Sequence, residues 1–210
     1  MRKFRNLTVM LVVAFVVAAS PFGRLSSAAE DQPVKPEAPR AGSPRAVMVT
    51  FFQSFSDGNA KALREAVLAD GDDERKVADG MEDVATAVAA ARKAIVSKFN
   101  VRDQDVKVQV FPVEMFNGMT EKVEADTATV MQEGEPFVVL KKVNGAWKIP
   151  LGELLKKGGK TIDQTMTDLH ESIQRVGQVT SEIESGKFTN AEEAAKAISE
   201  AVPTQEKSGV

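Results

Sequence analysis

The sequence predicts an α+β domain in which amino-terminal helices pack on a curved antiparallel sheet, followed by a carboxy-terminal helical hairpin. Three observations predict it. Apolar residues recur three and four apart through 44–99, two apart from Val106, and three and four apart again from Ile162. Asn144-Gly145 between two apolar segments is the strongest hairpin-turn signal in the chain. At 210 residues, 43% hydrophobic and 27% charged, the chain is long enough to bury one real core.

Residues 1–29 carry Arg2, Lys3, Arg5 and Arg24 and no acid, an apolar run over 7–19, and then Ser27-Ala28-Ala29. A basic start, a short apolar stretch and small residues at the end are the pattern of a secretory signal peptide, with cleavage expected after Ala29. As a helix the run spans about 20 Å against about 30 Å of hydrocarbon, too short for an anchor. The mature chain is expected to begin at Glu30, to be soluble, and to be exported, periplasmic or secreted. Losing four positive charges takes the formal net charge from −3 to −7. Residues 30–43, with Pro33, Pro36 and Pro39, read as an extended spacer.

The first helix starts at Pro44, capped by Ser43, carries Val47, Met48, Phe51, Phe52 and Phe55 at helical spacing, and ends at Asp57-Gly58. Asn59 caps a second helix with Leu63, Val67 and Leu68 inward, stopping near Asp70-Gly71. A third runs over about 73–99 with Val77, Met81, Val84, Val88, Ala91, Ile95 and Phe99 on one face. Gly80 is a candidate break in it, with Asp79 restarting the helix and Glu82 completing a capping-box-like pair. The Ala-rich stretch 85–94 leaves room for a close neighbour.

Val106, Val108 and Val110 alternate with polar residues, and the parity then slips to Phe111, Val113 and Met115 beside Pro112, the sign of a bulge or bend in a first strand. A second strand is expected over 122–132, with Val123, Ala125, Thr127, Thr129 and Met131 on one face. A third over 137–143 turns at Asn144-Gly145 into 146–149, and Pro150 ends the pairing. This register opposes Lys141 to Lys148 and Lys142 to Trp147. It also leaves Phe137 and Val139 opposite the face of Val138 and Leu140, where the carboxy-terminal hairpin or a second subunit is expected to cover them.

In the last segment Ile162, Met166, Leu169, Ile173, Val176, Thr180 and Ile183 form a narrow seam. Ser185-Gly186 breaks it. Thr189 and Glu192 make a capping-box pattern before Ala194, Ala195, Ile198 and Val202. The expected organisation is a signal peptide over 1–29, a linker over 30–43, an α+β domain over 44–157, and a helical hairpin with tail over 158–210.

Composition narrows the chemistry. With no Cys, thiol catalysis, disulfides, Fe–S clusters and thiolate-bound zinc are excluded. One His and no Tyr leave no His-rich metal site and no tyrosine acid. Basic clusters with interleaved aromatics are missing, so nucleic acid is not an expected partner.

The ending Val143-Asn144-Gly145-Ala146-Trp147-Lys148-Ile149, and the opening with Phe51, Phe52 and Phe55 before Asp57-Gly58-Asn59, resemble nuclear-transport-factor-2-like (cystatin-like) domains over 44–152. The short strand that such domains place between the second and third helices is not apparent in the periodicity, and the carboxy-terminal hairpin is an addition. The resemblance implies a sheet concavity closed by helices. It implies a fold shared by ketosteroid isomerases, polyketide cyclases, epoxide hydrolases and binding modules, and it points to exported bacterial proteins of unknown role.

Isomerase chemistry needs a carboxylate base and an acidic donor, typically Tyr, and Tyr is missing. Glu114, Glu124 and Asp126 are the strand carboxylates, but Glu124 and Asp126 fall opposite Val123 and Ala125, on a solvated face. An Asp-Arg-Asp relay would draw on Arg92, Arg102, Asp103 and Asp105, which helix-end and turn usage explains equally. His170 reads as a surface residue and Trp147 as core. Lys141, Lys142, Lys148, Lys156 and Lys157 concentrate positive charge in an acidic protein, where the acidic appendage with Asp163, Asp168, Glu171, Glu182 and Glu184 is a candidate neighbour.

No catalytic, cofactor-binding or metal-ligating residue is assigned, and no cofactor is implied. The expected function is a non-enzymatic exported domain that binds an unknown small molecule or protein through the concavity or the hairpin, with no stable membrane insertion after cleavage and a homodimer as one way to cover the sheet. The alternative is an atypical isomerase, lyase or hydrolase in the concavity. A concavity plugged by Phe51, Phe55 and Trp147 favours binding, and an open cavity with two convergent carboxyls favours catalysis.

Overall fold

The computed structural model describes residues 40–111 and 113–202. The expected signal peptide, most of the linker, Pro112 and 203–210 lie outside the described residues. The chain is α+β, with a five-stranded mixed sheet in the order β1-β5-β4-β3-β2 and helices gathered against one side of it.

Helix α1 (Pro44–Asp57) opens as expected, with the Ala46 N–H donating to Ser43 Oγ at 3.2 Å. It ends at Gly58, whose φ of 68° suits glycine. A Cβ there would also lie 2.6 Å from the backbone N of Ala89, so the Ala-rich stretch of α3 (Asp72–Phe99) is where α1 ends in close contact. Helix α2 (Ala60–Ala66) is capped by Asn59 but stops earlier than its spacing predicts. Val67–Leu68 instead form β1, which pairs in parallel with Ile149 and Pro150 of β5 (Ala146–Pro150). Pairing with a strand eighty residues away overrides the local helical period.

Helix α3 runs unbroken through Gly80, which is buried. The absence of a side chain there makes room for a neighbouring helix and does not restart the helix. After α3 the expected strand does not form. A short 3₁₀ turn (Asp103–Asp105) leads into an irregular stretch in which Val106, Val108 and Val110 are buried while Lys107 and Gln109 are exposed. Alternation therefore reports two different sides, not a ladder. The backbone donors of Gln109 and Val110 go to Ser199 Oγ at 2.9 Å and Ser56 Oγ at 3.0 Å. The parity slip is a bend at Val110–Phe111, the second of the two expected alternatives, and a second 3₁₀ turn (Val113–Phe116) follows it.

The expected strand over 122–132 is a hairpin. β2 (Thr120–Glu124) and β3 (Thr127–Gln132) pair antiparallel around Ala125-Asp126. The turn reverses the faces: Ala128 and Val130 are buried, while Thr129 and Met131 are only half-buried and Val123 is 51% exposed. β4 (Glu135–Val143) meets β5 in the expected register, Lys141 opposite Lys148 and Lys142 opposite Trp147. Asn144 and Gly145 have φ of 51° and 82°, the left-handed pair that this two-residue turn requires.

A bulge does occur, in β4. Val130 pairs with Val138 and Met131 with Pro136, so Phe137 is the extra residue in the register. Both Phe137 and Val138 are buried, while Val139 stays 39% exposed. The expected pairing of Phe137 with Val139 on one face is corrected by that extra residue.

Helix α4 (Leu151–Gly158) begins directly after Pro150. Helix α5 (Ile162–Glu184) starts with a complete capping box between Thr161 and Gln164, and its predicted seam is buried or half-buried throughout. Helix α6 (Ala191–Ala201) is capped by Asn190, one residue later than predicted, with Glu193 in place of Glu192 closing back on Thr189. The α5–α6 pair lies along α3, not across the sheet, and joins the same hydrophobic core. The outward sheet face that it was expected to cover, including Val139 and Lys141, remains exposed.

Candidate functional site

The space between α1 and the sheet is filled by aromatic side chains. Phe52 is the hub, with ring centroids at 5.1 Å from Phe51, 4.8 Å from Phe111, 5.8 Å from Phe116 and 6.2 Å from Phe137. Phe55 closes on Phe51 and Phe111 at 5.6 and 5.7 Å. The α1 spacing delivers Phe51, Phe52 and Phe55, the irregular stretch delivers Phe111 and Phe116, and the β4 bulge delivers Phe137. Trp147 is buried, with Lys142 Nζ over its ring 5.6 Å from the centroid, so the ring is core and the ammonium covers one face of it.

No pair of carboxyls converges there among the described side chains. Glu124 is exposed at the sheet edge, where Lys122 Nζ at 2.7 Å holds its carboxyl below the usual carboxylate range. Asp126 is in the β2–β3 turn, and its carbonyl accepts the Lys142 N–H at 2.8 Å. The Glu114 side chain lies outside the described set. Arg92 and Asp103 do meet, at 3.2 Å, beside the carboxy-terminal end of α1. The Arg92 guanidinium is buried and also donates to the carbonyls of Val106 at 2.9 Å, Asp103 at 3.0 Å and Ser56 at 3.4 Å. It ties the irregular stretch to α1 and α3, a structural duty that occupies a relay's donors. Arg102 pairs separately with Asp105 at 2.7 Å. His170 is exposed.

The lysines divide. Lys148 Nζ donates to the Glu65 carbonyl at the end of α2, which removes it from opposition to Lys141. Lys160 pairs with Asp168 of α5 in a largely buried contact. Lys157 Nζ donates to the carbonyls of Pro136 and Phe137, each at 2.7 Å, and partial burial lowers its proton affinity.

Lys157 lies at a groove of about 380 Å³ that the sequence does not announce. β5 pairs with β4 through Lys141, Lys142 and Val143, then turns toward β1 and into α4. The parting leaves a notch between the β4 segment 136–139, the end of β5, and α4. Phe137, Val138, Val139, Ile149 and Leu154 give it an apolar lining, with Glu153, Lys156 and Lys157 along α4. A wider cleft of about 730 Å³ separates the starts of α3 and α5 from α4, and acids and lysines line it. Among the described residues no group of His, Cys, Asp and Glu is arranged to hold a metal ion, and no helix is long and apolar enough to cross a membrane.

No protein-family model matches the chain, and comparison with curated proteins and with solved structures likewise returns no match.

Proposed function

We propose that this chain is a non-enzymatic binding domain of an exported protein, built on a nuclear-transport-factor-2-like frame, whose ligand sits in the notch where β5 parts from β4. The observation that carries the reading is the contrast between two spaces: phenylalanines occupy the concavity around Phe52, whereas the notch is open, largely apolar and fringed by charge. Ligand pockets combine an apolar lining with a few polar groups in this way. β1, between α2 and α3 and paired with the last strand, supplies the short strand that the resemblance lacked and supports that frame. The pattern of residues 1–29 supports export.

Amide chemical-shift mapping of the 30–210 protein against small apolar and amphipathic compounds tests the site. Shifts gathered at Val139, Leu154 and Lys157 are expected. Shifts centred on Phe52 and Phe111, with turnover of an ester or epoxide probe, would replace this reading by the enzyme. Amino-terminal sequencing tests export: a chain starting at Glu30 outside the cytoplasm is expected, and intact Met1 retained in washed membranes would overturn it.

A further inference from the structure

Resting on that reading of the notch, we propose that its ligand is a small monocarboxylate with a short apolar tail, the carboxylate meeting Lys157 and the tail lying on Val138, Val139, Ile149 and Leu154. An ammonium has three protons to donate. Two of those of Lys157 go to the Pro136 and Phe137 carbonyls, which are neutral acceptors, so among the described residues no carboxylate pairs with it and one donor remains. The carboxylate in the lining, Glu153, is exposed and pairs at 3.7 Å with Lys156 and not with Lys157. Lys157 is exposed at the rim of the notch with apolar walls on one side, and an anion bound there would offset that one-sided desolvation. The lowered proton affinity of Lys157 has the same cause, and a bound carboxylate would reverse it.

The rest of the lining decides what is attached to the charge. Val139 is exposed and Leu154 half-buried, so they present most of the apolar surface, with Val138 and Ile149 almost wholly buried beneath it. The volume of about 380 Å³ is near the lower end of the range for small-ligand sites, about 300–1,000 Å³. A dianion would place its second charge near Glu153, and a cation would face Lys156 and Lys157. A single negative charge on an apolar body answers both constraints. The β4 bulge supports this arrangement: by adding Phe137 it presents two successive carbonyls that hold the ammonium at the rim of the notch.

Titration of the 30–210 protein with octanoate, 1-octanol and octylamine, followed by amide shifts, tests the assignment. Octanoate is expected to shift Val139, Leu154 and Lys157 saturably and to bind about tenfold or more tightly than octanol, the difference made by one charge-assisted hydrogen bond. Lys157→Gln is expected to bring octanoate down to the octanol level. Val139→Asp, at an exposed position, is expected to weaken octanoate while leaving the spectrum of the fold unchanged, which keeps the test open if the Lys157 variant does not fold. Equal binding of octanol and octanoate, or tighter binding of octylamine, would overturn the carboxylate and leave the notch as the site. Octanoate shifts elsewhere, or none, would also overturn it. If the compound mapping above then finds the notch empty as well, the reading of the site fails with it.

Discussion

Gly80 of α3 lies directly under Leu169 of α5: a Cβ built on Gly80 would be 2.9 Å from Leu169 Cδ1 and 3.4 Å from Met166 Cε. Glycine inside a helix normally costs about 1 kcal/mol relative to alanine. Here the missing side chain allows two helices to approach, and Leu169, 1% exposed, fills the space. The contact lets α5 pack closely on α3 at this point.

Gly80→Ala is therefore expected to lose the gain of about 1 kcal/mol that helix propensity predicts, because the Leu169 methyl must move aside. Chemical denaturation measures it. In the Leu169→Ala background the same substitution is expected to be neutral or stabilising, because the obstructing methyl group is gone. Additive effects in the double-mutant cycle would show that the two residues are not coupled.

Arg92 secures the irregular stretch after α3 by donating to three backbone carbonyls and to Asp103. Arg92→Met keeps the aliphatic stem and removes every donor. Leaving buried carbonyls unpaired is expected to cost about 1–3 kcal/mol each where water does not reach. The loss is expected to be local, so amide exchange at Val110 and Gln109 is expected to accelerate before exchange in α5 does. Uniform acceleration across the chain would contradict a clamp.

How much of this was legible follows from the range of each signal. Asn144-Gly145 specifies a turn by itself, because both residues tolerate positive φ, and the hairpin register followed. The seam of α5 was likewise legible, since helical spacing reports burial whatever the partner. The valines at 106, 108 and 110 reported burial correctly but not pairing, because alternation does not say whether the neighbours are strands or helices. β1 and the notch were invisible for a third reason: each exists only where β5 turns away, and no local pattern encodes a parting of strands.

The turn at Ala125 carries no sequence signal, for a reason that can be tested. Its φ is 52°, a region that L-residues other than Asn and Asp rarely visit and that costs about 1–2 kcal/mol through the Cβ. Nothing in its side chain advertised the β2–β3 reversal. Ala125→Gly removes the steric penalty while adding unfolded-state freedom, and the balance is expected to be stabilising by up to about 1 kcal/mol. Ala125→Val is expected to destabilise. A thermal or denaturant midpoint unchanged in both variants would show that the turn relaxes.

Glu193 gives the pH dependence a local readout. Its carboxylate accepts from the Thr189 backbone N–H at 3.0 Å and from the Thr189 hydroxyl at 2.9 Å, which lowers its pKa below the ordinary glutamate value. A depressed carboxylate pKa contributes stability that is fully present above the unfolded value, about 4.3, and is lost as pH falls through the lower folded value. Glu182, held by Lys187 and Gln178, shifts in the same direction, so the base of the α5–α6 hairpin is expected to loosen on acidification. The Thr189 amide resonance is expected to titrate with a midpoint below that of an ordinary glutamate, and Glu193→Gln is expected to abolish that titration. Because Ser199 at the other end of α6 accepts the Gln109 N–H at 2.9 Å, loosening at Thr189 is expected to lower protection at Gln109 over the same pH range. A Thr189 midpoint at or above the ordinary glutamate value would mean that the capping contact is not formed in solution, and Gln109 would then report no change.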